Sequence, residues 1–234
     1  AIAIPGTILT LTKYIMMRGV TLSKGKGTAA SLKSKHRALP ASLPFSQETI
    51  GSYERIESKT FSFDAFGLKT TASDSDLQLL LTKYERANML TFLKTPQASI
   101  IKSASWNTED AVKKSFDVEH IQALDFKAGD RVNGVYIVTY RSVSSNDNDK
   151  RLYWVELKGD APSGFKGDPH LANIMIVGGI QINKESNELL FYNETWAWRE
   201  PGDRSTILES WVGAWMHEWF CAWLVKKGID AVLT

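Results

Sequence analysis

Between residues 70 and 230 the spacing of apolar positions changes twice, from helical to alternating and back to helical. "DLQLLLTKYERANMLTFL" places Leu77, Leu80, Leu81, Tyr84, Leu90 and Leu93 at helical spacing and predicts a helix over 74–93. Ser73 is placed to cap it. Asp74 and Asp76 fall in its first turn, where the helix dipole favours acids, and Pro96 is expected to stop it. Thr108 is placed to cap a short second helix, "EDAVKKSF". The pattern then turns β-branched and aromatic. "GVYIVTYRSV" (134–143), "RLYWVEL" (151–157), "ANIMIVGGIQI" (172–182) and "ELLFYNETWAWR" (188–199) read as strands, the third with a bend expected at Gly178-Gly179. Short connections between them predict an antiparallel meander. An earlier alternating stretch, "RIESKTFSFDAF", predicts a strand near 56–66, and residues 20–47 read as an extended connector.

The final element is "WVGAWMHEWFCAW", residues 211–223. It holds four of the eight tryptophans at every fourth position: Trp211, Trp215, Trp219 and Trp223. Each step of four turns a helix about 40° past a full turn, so the rings sweep a stripe of roughly 120°. Thr206 and Glu209 have capping-box spacing, and Gly228 is expected at the C′ position. Only His217 and Glu218 are strongly polar near the centre. A helix this apolar needs cover on nearly every side. A sheet covers one side. The early helix, a ligand, a partner or lipid must cover the other, so the stripe is core, cavity wall or interface. The expected fold is α+β, with a curved antiparallel sheet wrapped around a long C-terminal helix and additional N-terminal helices.

Charge divides the chain. Residues 1–47 carry seven Lys or Arg and no acid, leaving 21 basic against 26 acidic side chains in the remainder. This gives an expected division into a basic N-terminal extension, 1–47, and a single ligand-binding domain, 48–234. Positive charge confined to an arm is unlike a nucleic-acid-binding domain, so no nucleic-acid partner is expected. The stretch 1–17 reads in three ways: a membrane-anchor stub whose basic neighbour meets anionic headgroups, a targeting segment, or an apolar element packed on the domain. The lone Cys221 forms no intrachain disulfide and favours a reducing, intracellular setting, with membrane association as the alternative. The pattern leaves the oligomeric state open.

The order of elements over residues 120–230, with "DFKAGDRVNGVYIVTYR" at its start, resembles the START-like or Bet v 1-like (SRPBCC) ligand-binding domains. That resemblance implies an apolar cavity between sheet and last helix. It also implies binding of, or chemistry on, a hydrophobic small molecule, often without a cofactor. It transfers no catalytic residue.

Candidate chemistry comes from the residues themselves. On strand 188–199, Tyr192, Glu194, Trp196 and Trp198 share one face. A carboxylate among aromatic rings loses water and becomes a usable acid or base near neutral pH. Glu194 is therefore the expected proton carrier, assisted by Tyr192 as oxyanion donor or by His217. The alternative is a Glu194 that pairs with an Arg or Lys across the sheet, or simply faces solvent. Trp196, Trp198, Trp211, Trp215 and Trp219 are the expected substrate-binding residues. His217 and Cys221 share a helix face one turn apart, but no further ligand pattern accompanies them and no metal is expected. Phosphate-loop, Rossmann and nucleophile-elbow patterns are missing, so no cofactor is expected. The leading functional expectation is a cofactor-independent isomerase or cyclase acting on a polyketide- or terpenoid-like molecule. The alternatives are a lipid or sterol carrier and a membrane-anchored interaction module.

Overall fold

The computed structural model describes residues 14, 15, 17–28, 31, 32, 39–44, 46, 48–146 and 150–234. The apolar stretch 1–17 therefore lies mostly outside the described residues. Among the described residues no helix is long and apolar enough to cross a membrane.

The molecule is α+β, built on an eight-stranded antiparallel sheet that does not close on itself. The strands are β1 (Val20–Thr28), β2 (Ile50–Ser58), β3 (Phe61–Ser62), β4 (Arg131–Val132), β5 (Tyr136–Asn146), β6 (Lys150–Gly159), β7 (Ile174–Asn183) and β8 (Glu188–Arg199). Their spatial order is β1-β2-β8-β7-β6-β5-β4, with β3 continuing along β8 beyond β2. The expected meander is present as β5 to β8. Residues 20–28, placed in the extension from sequence, instead form the edge strand of this sheet. They pair with β2 along their whole length, from Val20 beside Ser58 to Thr28 beside Ile50. Backbone groups make that pairing, so "VTLSKGKGT" needs little apolar content to join. The strand expected near 56–66 starts earlier, at Ile50, and breaks at Lys59-Thr60.

The helices are α1 (Asp74–Phe92), α2 (Pro96–Ala104), α3 (Asp110–Lys114), α4 (Val118–Ala123) and α5 (Trp211–Asp230). Ser73 caps α1 in a reciprocal capping box with Asp76. Pro96 opens α2 rather than stopping α1: it takes the first helical position, where its missing N–H costs nothing, behind Thr95 as cap. Thr108 does not cap α3. Its hydroxyl donates to the Ser105 carbonyl, and Glu109 is the cap residue. Thr206 and Glu209 form the expected capping box, but around a short 3-10 turn, and Ser210 caps α5 itself.

β8 is the spine of the fold and is buried on both faces. Leu189, Phe191 and Thr195 face the layer that contains α1 and α5. Tyr192, Glu194, Trp196 and Trp198 face a second, smaller layer in which Leu32, Leu39 and Leu43 cover Tyr53, Met175 and Val177. Asn193 belongs to the α1 side and accepts a hydrogen bond from the Tyr84 hydroxyl at 2.9 Å. The Gly178-Gly179 pair is not a bend, because β7 keeps regular register there. A Cβ at Gly178 would lie 1.8 Å from Glu85 Oε1, and one at Gly179 would lie 2.4 Å from the Tyr192 ring. The two glycines clear one large side chain on each face.

Gly228 is not a C′ residue either, since α5 continues to Asp230. It marks the crossing with α1, where an added Cβ would come 2.5 Å from Asn88 Oδ1 and 2.6 Å from the Tyr84 ring. Gly228→Val is expected to cost about 2 kcal/mol or more through overpacking, read as a lower urea midpoint at unchanged slope. Glu85 supplies a second test. Burial pushes its carboxyl up to about 8, against a smaller opposing pull from Arg141. Its raised value means the folded state holds a proton that the unfolded chain releases from about pH 4.5 upward. Stability is therefore fullest below that point and falls as pH rises toward 8. Glu85→Gln should flatten that part of the pH–stability curve; an unchanged curve would remove Glu85 as its cause.

Candidate functional site

Lys24 and Lys26 project from the same side of β1, opposite Glu54 and Ser52 of β2. α5 crosses that side and presents Ala214 and Glu218 to it. Between them lies a cleft of about 550 Å³, lined also by Ser210, Trp211 and Trp215. Its floor is charged and its wall is aromatic. Two buried acids reach out to half-exposed lysines: Glu218 to Lys24 at 2.8 Å and Glu209 to Lys26 at 2.6 Å. Arg199 clamps Glu209 from the other side with contacts of 2.8 and 3.2 Å. Burial alone would raise the Glu209 carboxyl, but Arg199, Lys26 and the Thr206 N–H together bring it down to about 2.

The third acid differs. Glu54 is 3% exposed. Its Oε2 lies 2.6 Å from His217 Nδ1, while its Oε1 is buried and has no partner among the described residues. Burial is the largest influence on His217 and pulls its value down. The contacts with Cys221 and Glu54 outweigh it and push the imidazole up to about 10. At neutral pH the ring therefore holds both protons and donates one to Glu54. Cys221 Sγ sits 3.4 Å from Nε2 and 3.6 Å from Nδ1 of the same ring.

The residues expected from sequence divide between the two faces of the sheet. Glu194 and Tyr192 lie under the second layer, away from His217. Glu194 accepts from Arg55 Nη1 through one oxygen and from Trp196 Nε1 at 2.8 Å through the other. The Arg55 guanidinium stacks 3.8 Å over the Tyr192 ring, and burial, ahead of the Glu194 charge, pushes the Tyr192 hydroxyl above its ordinary range. Trp196 stacks on Tyr53 at 4.9 Å. Trp198 is buried in the same cluster. The cation across the sheet, weighed as the alternative partner for Glu194, is thus Arg55. Alternation explains the split: Thr195 approaches Cys221 at 4.0 Å, so its neighbour Glu194 points the other way.

The Trp stripe is also divided. α5 turns Cys221, Ala222, Val225 and Ile229 inward, small or branched residues that let it approach α1 and the sheet. Trp211 and Trp215 line the cleft, and Trp211 is 82% exposed. Trp219 is half-buried, with an indole N–H that is enclosed and unpartnered among the described residues. Trp223 packs against the core beside Phe220. Lys24, Lys26, Glu54, Glu209 and Glu218 are the site residues that sequence reasoning passed over. For Lys24, Lys26 and Glu54 the signal was the period-two alternation of "SKGKG" and "SYERIES", which is visible only once both are known to be strands. Among the described residues no group of three or more His, Cys, Asp or Glu is placed to hold a metal.

The raised value of His217 carries a pH signature. Its stabilising contribution is complete below about 6.5 and is lost as pH rises toward about 10, because the folded state keeps a proton the unfolded chain has released. Urea midpoints between pH 6 and 10 should fall in the wild type and fall less in His217→Gln. Glu54→Ala, which strands a buried imidazolium, should cost about 3 kcal/mol or more at pH 7. Comparison of the chain with protein-family models, with curated proteins and with solved structures finds no match.

Proposed function

We propose that this protein is a cofactor-independent isomerase or cyclase that holds a hydrophobic, ring-bearing small molecule in the cleft between β1, β2 and α5. This reading takes the sheet to curve around α5 as in the START-like arrangement, with its ligand site at the amino-terminal end of that helix. The observation that carries it is Glu54: a buried carboxyl on the cleft wall, with one oxygen fixed by His217 and the other unpartnered among the described residues. A free acceptor in such a place is costly unless something donates to it.

The chemistry follows from the neighbours. Glu54 Oε1 takes a proton from a carbon next to a carbonyl. The electron pair left behind moves to the carbonyl oxygen, where the Lys24 ammonium donates a hydrogen bond to the growing charge. Glu54 then returns the proton to a different carbon, which completes an isomerisation. His217 holds the other oxygen in place throughout. Trp211 and Trp215 fix the ring, and in a cyclase they also bring the chain ends together. The setting is intracellular.

Native mass spectrometry of freshly purified protein should reveal a bound apolar compound, reduced in Trp211→Ala/Trp215→Ala. In heavy water the wild type should exchange a carbon-bound hydrogen of that compound. Glu54→Gln should bind it yet exchange it about 100-fold or more slowly, within the range for loss of a general base. Exchange at the wild-type rate in Glu54→Gln would leave a carrier rather than an enzyme. No bound compound in either protein would remove the ligand site.

A further inference from the structure

The tryptophan stripe of α5 turns away from the cleft as the helix proceeds. At about 100° per residue, Val212, Met216, Trp219 and Trp223 fall within about 60° of one another. They lie on the side opposite Cys221 and Gly228, which are buried. Val212 is 55% and Met216 is 50% exposed, while Trp219 and Trp223 are half-buried. Trp211 and Trp215 border this row on the cleft side. The row runs roughly 16 Å along the helix axis. It carries no charged side chain, and its polar groups are the two indole N–H groups, of which that of Trp219 is enclosed.

Cations gather where the row ends. Lys226 and Lys227 continue it by one turn. Lys226 Nζ donates to the Ile15 carbonyl at 3.0 Å, which sets Tyr14 and Ile15, 69% and 55% exposed, beside the same end of α5. Arg18 follows them in the chain. Burial first, and then the Arg18 charge, lower the Lys226 ammonium below its ordinary value, so two cations are crowded together there. Asp230 pairs with Lys227 at 3.2 Å and is outnumbered by Arg18, Lys226 and Lys227. The chain that enters the fold at this point is acid-free: residues 1–47 carry seven Lys or Arg and no Asp or Glu.

We propose that the outer face of α5 is a docking surface for an anionic lipid bilayer, with the helix lying in the plane of the headgroups. An exposed row of large apolar side chains marks a surface that something covers. Charge and bonding capacity select lipid as the cover. A specific protein interface carries about one hydrogen bond per 100–200 Å². Val212 and Met216 offer none, and a bilayer asks for none. Indole rings are favoured at the boundary between headgroups and acyl chains. Lysines at the end of such a row reach the phosphates while their stems stay on the apolar side. An apolar row with adjoining cations is the two-part signal by which a helix lies on an anionic membrane without crossing it. The docking stands apart from the chemistry of the cleft. One consequence does rest on that chemistry: Trp211, 82% exposed, stands between the row and the cleft, so an apolar ligand passes from bilayer to cleft without crossing bulk water.

Co-sedimentation of the folded full chain with vesicles tests this, using phosphatidylcholine alone and phosphatidylcholine with about 30% phosphatidylserine. The wild type should pellet with the anionic vesicles and shift its tryptophan emission to the blue. It should be released as salt rises from about 0.1 M to about 0.5 M. Val212→Ser/Met216→Ser should weaken binding about tenfold or more. Arg18→Gln/Lys227→Gln should weaken it about tenfold and reduce its salt dependence. Both variants should keep the wild-type urea midpoint, because the replaced side chains are exposed. No binding to anionic vesicles, equal binding to neutral ones, or binding indifferent to all four substitutions would overturn the proposal. A dimer in analytical ultracentrifugation that Val212→Ser/Met216→Ser abolishes would assign the face to a second copy instead. A lowered urea midpoint in that variant would show the face covered within the chain, which also overturns the proposal. Vesicle binding is read without any cleft ligand, so it stands or falls separately from the proton transfer.

Discussion

The pairing of β2 with β8 sets Arg55 beside Glu194 and Glu54 beside Thr195. Successive side chains of a strand point to opposite faces. That single constraint assigns two buried acids to two unrelated environments. Glu194 is enclosed by Arg55, Tyr192 and Trp196 beneath the second layer, with donors on both oxygens. Glu54 turns toward α5, where His217 satisfies one oxygen and the cleft adjoins the rest. A shift of one residue in this register would exchange their roles, and both faces are buried enough to forbid it.

The cleft owes its character to depth rather than to number of charges. Lys24 and Lys26 are half exposed, while Glu54, Glu209 and Glu218 are enclosed. Enclosed carboxyls lose water, and each must find compensation within the protein. Glu209 is compensated by Arg199, Lys26 and a backbone N–H, and Glu218 by Lys24. Among the described residues Glu54 is compensated on one side only, by His217, which is why it stands apart as the reactive candidate. The imidazole lies between Glu54 and Cys221 and touches both.

Much of the fold was legible in the sequence because long periodic segments leave little choice. Helix 74–93 with its Ser73 cap and strand 188–199 emerged within a residue of their observed bounds. The site was less legible, for two physical reasons. "VTLSKGKGT" carries almost no apolar pattern, because an edge strand is held by its backbone, so the strand that bears Lys24 and Lys26 reads as a linker. Helical spacing shows that four Trp residues share a stripe but not which way the stripe faces. The inward face went instead to Cys221, Ala222, Val225 and Gly228, since close approach to α1 at Tyr84 and Asn88 needs small residues there. With that rotation, only Trp211 and Trp215 reach the cleft.

The outermost strand has a further effect, on how these molecules behave when crowded together. One hydrogen-bonding edge of β1 is taken by β2, and its other edge has no neighbouring strand among the described residues. An uncovered edge invites a strand from another molecule to join it and seed a fibre. Here the strand alternates lysine with glycine at positions 24 to 27, charge with no grip for a stacking side chain. The cations that furnish the cleft thus double as a guard against self-association.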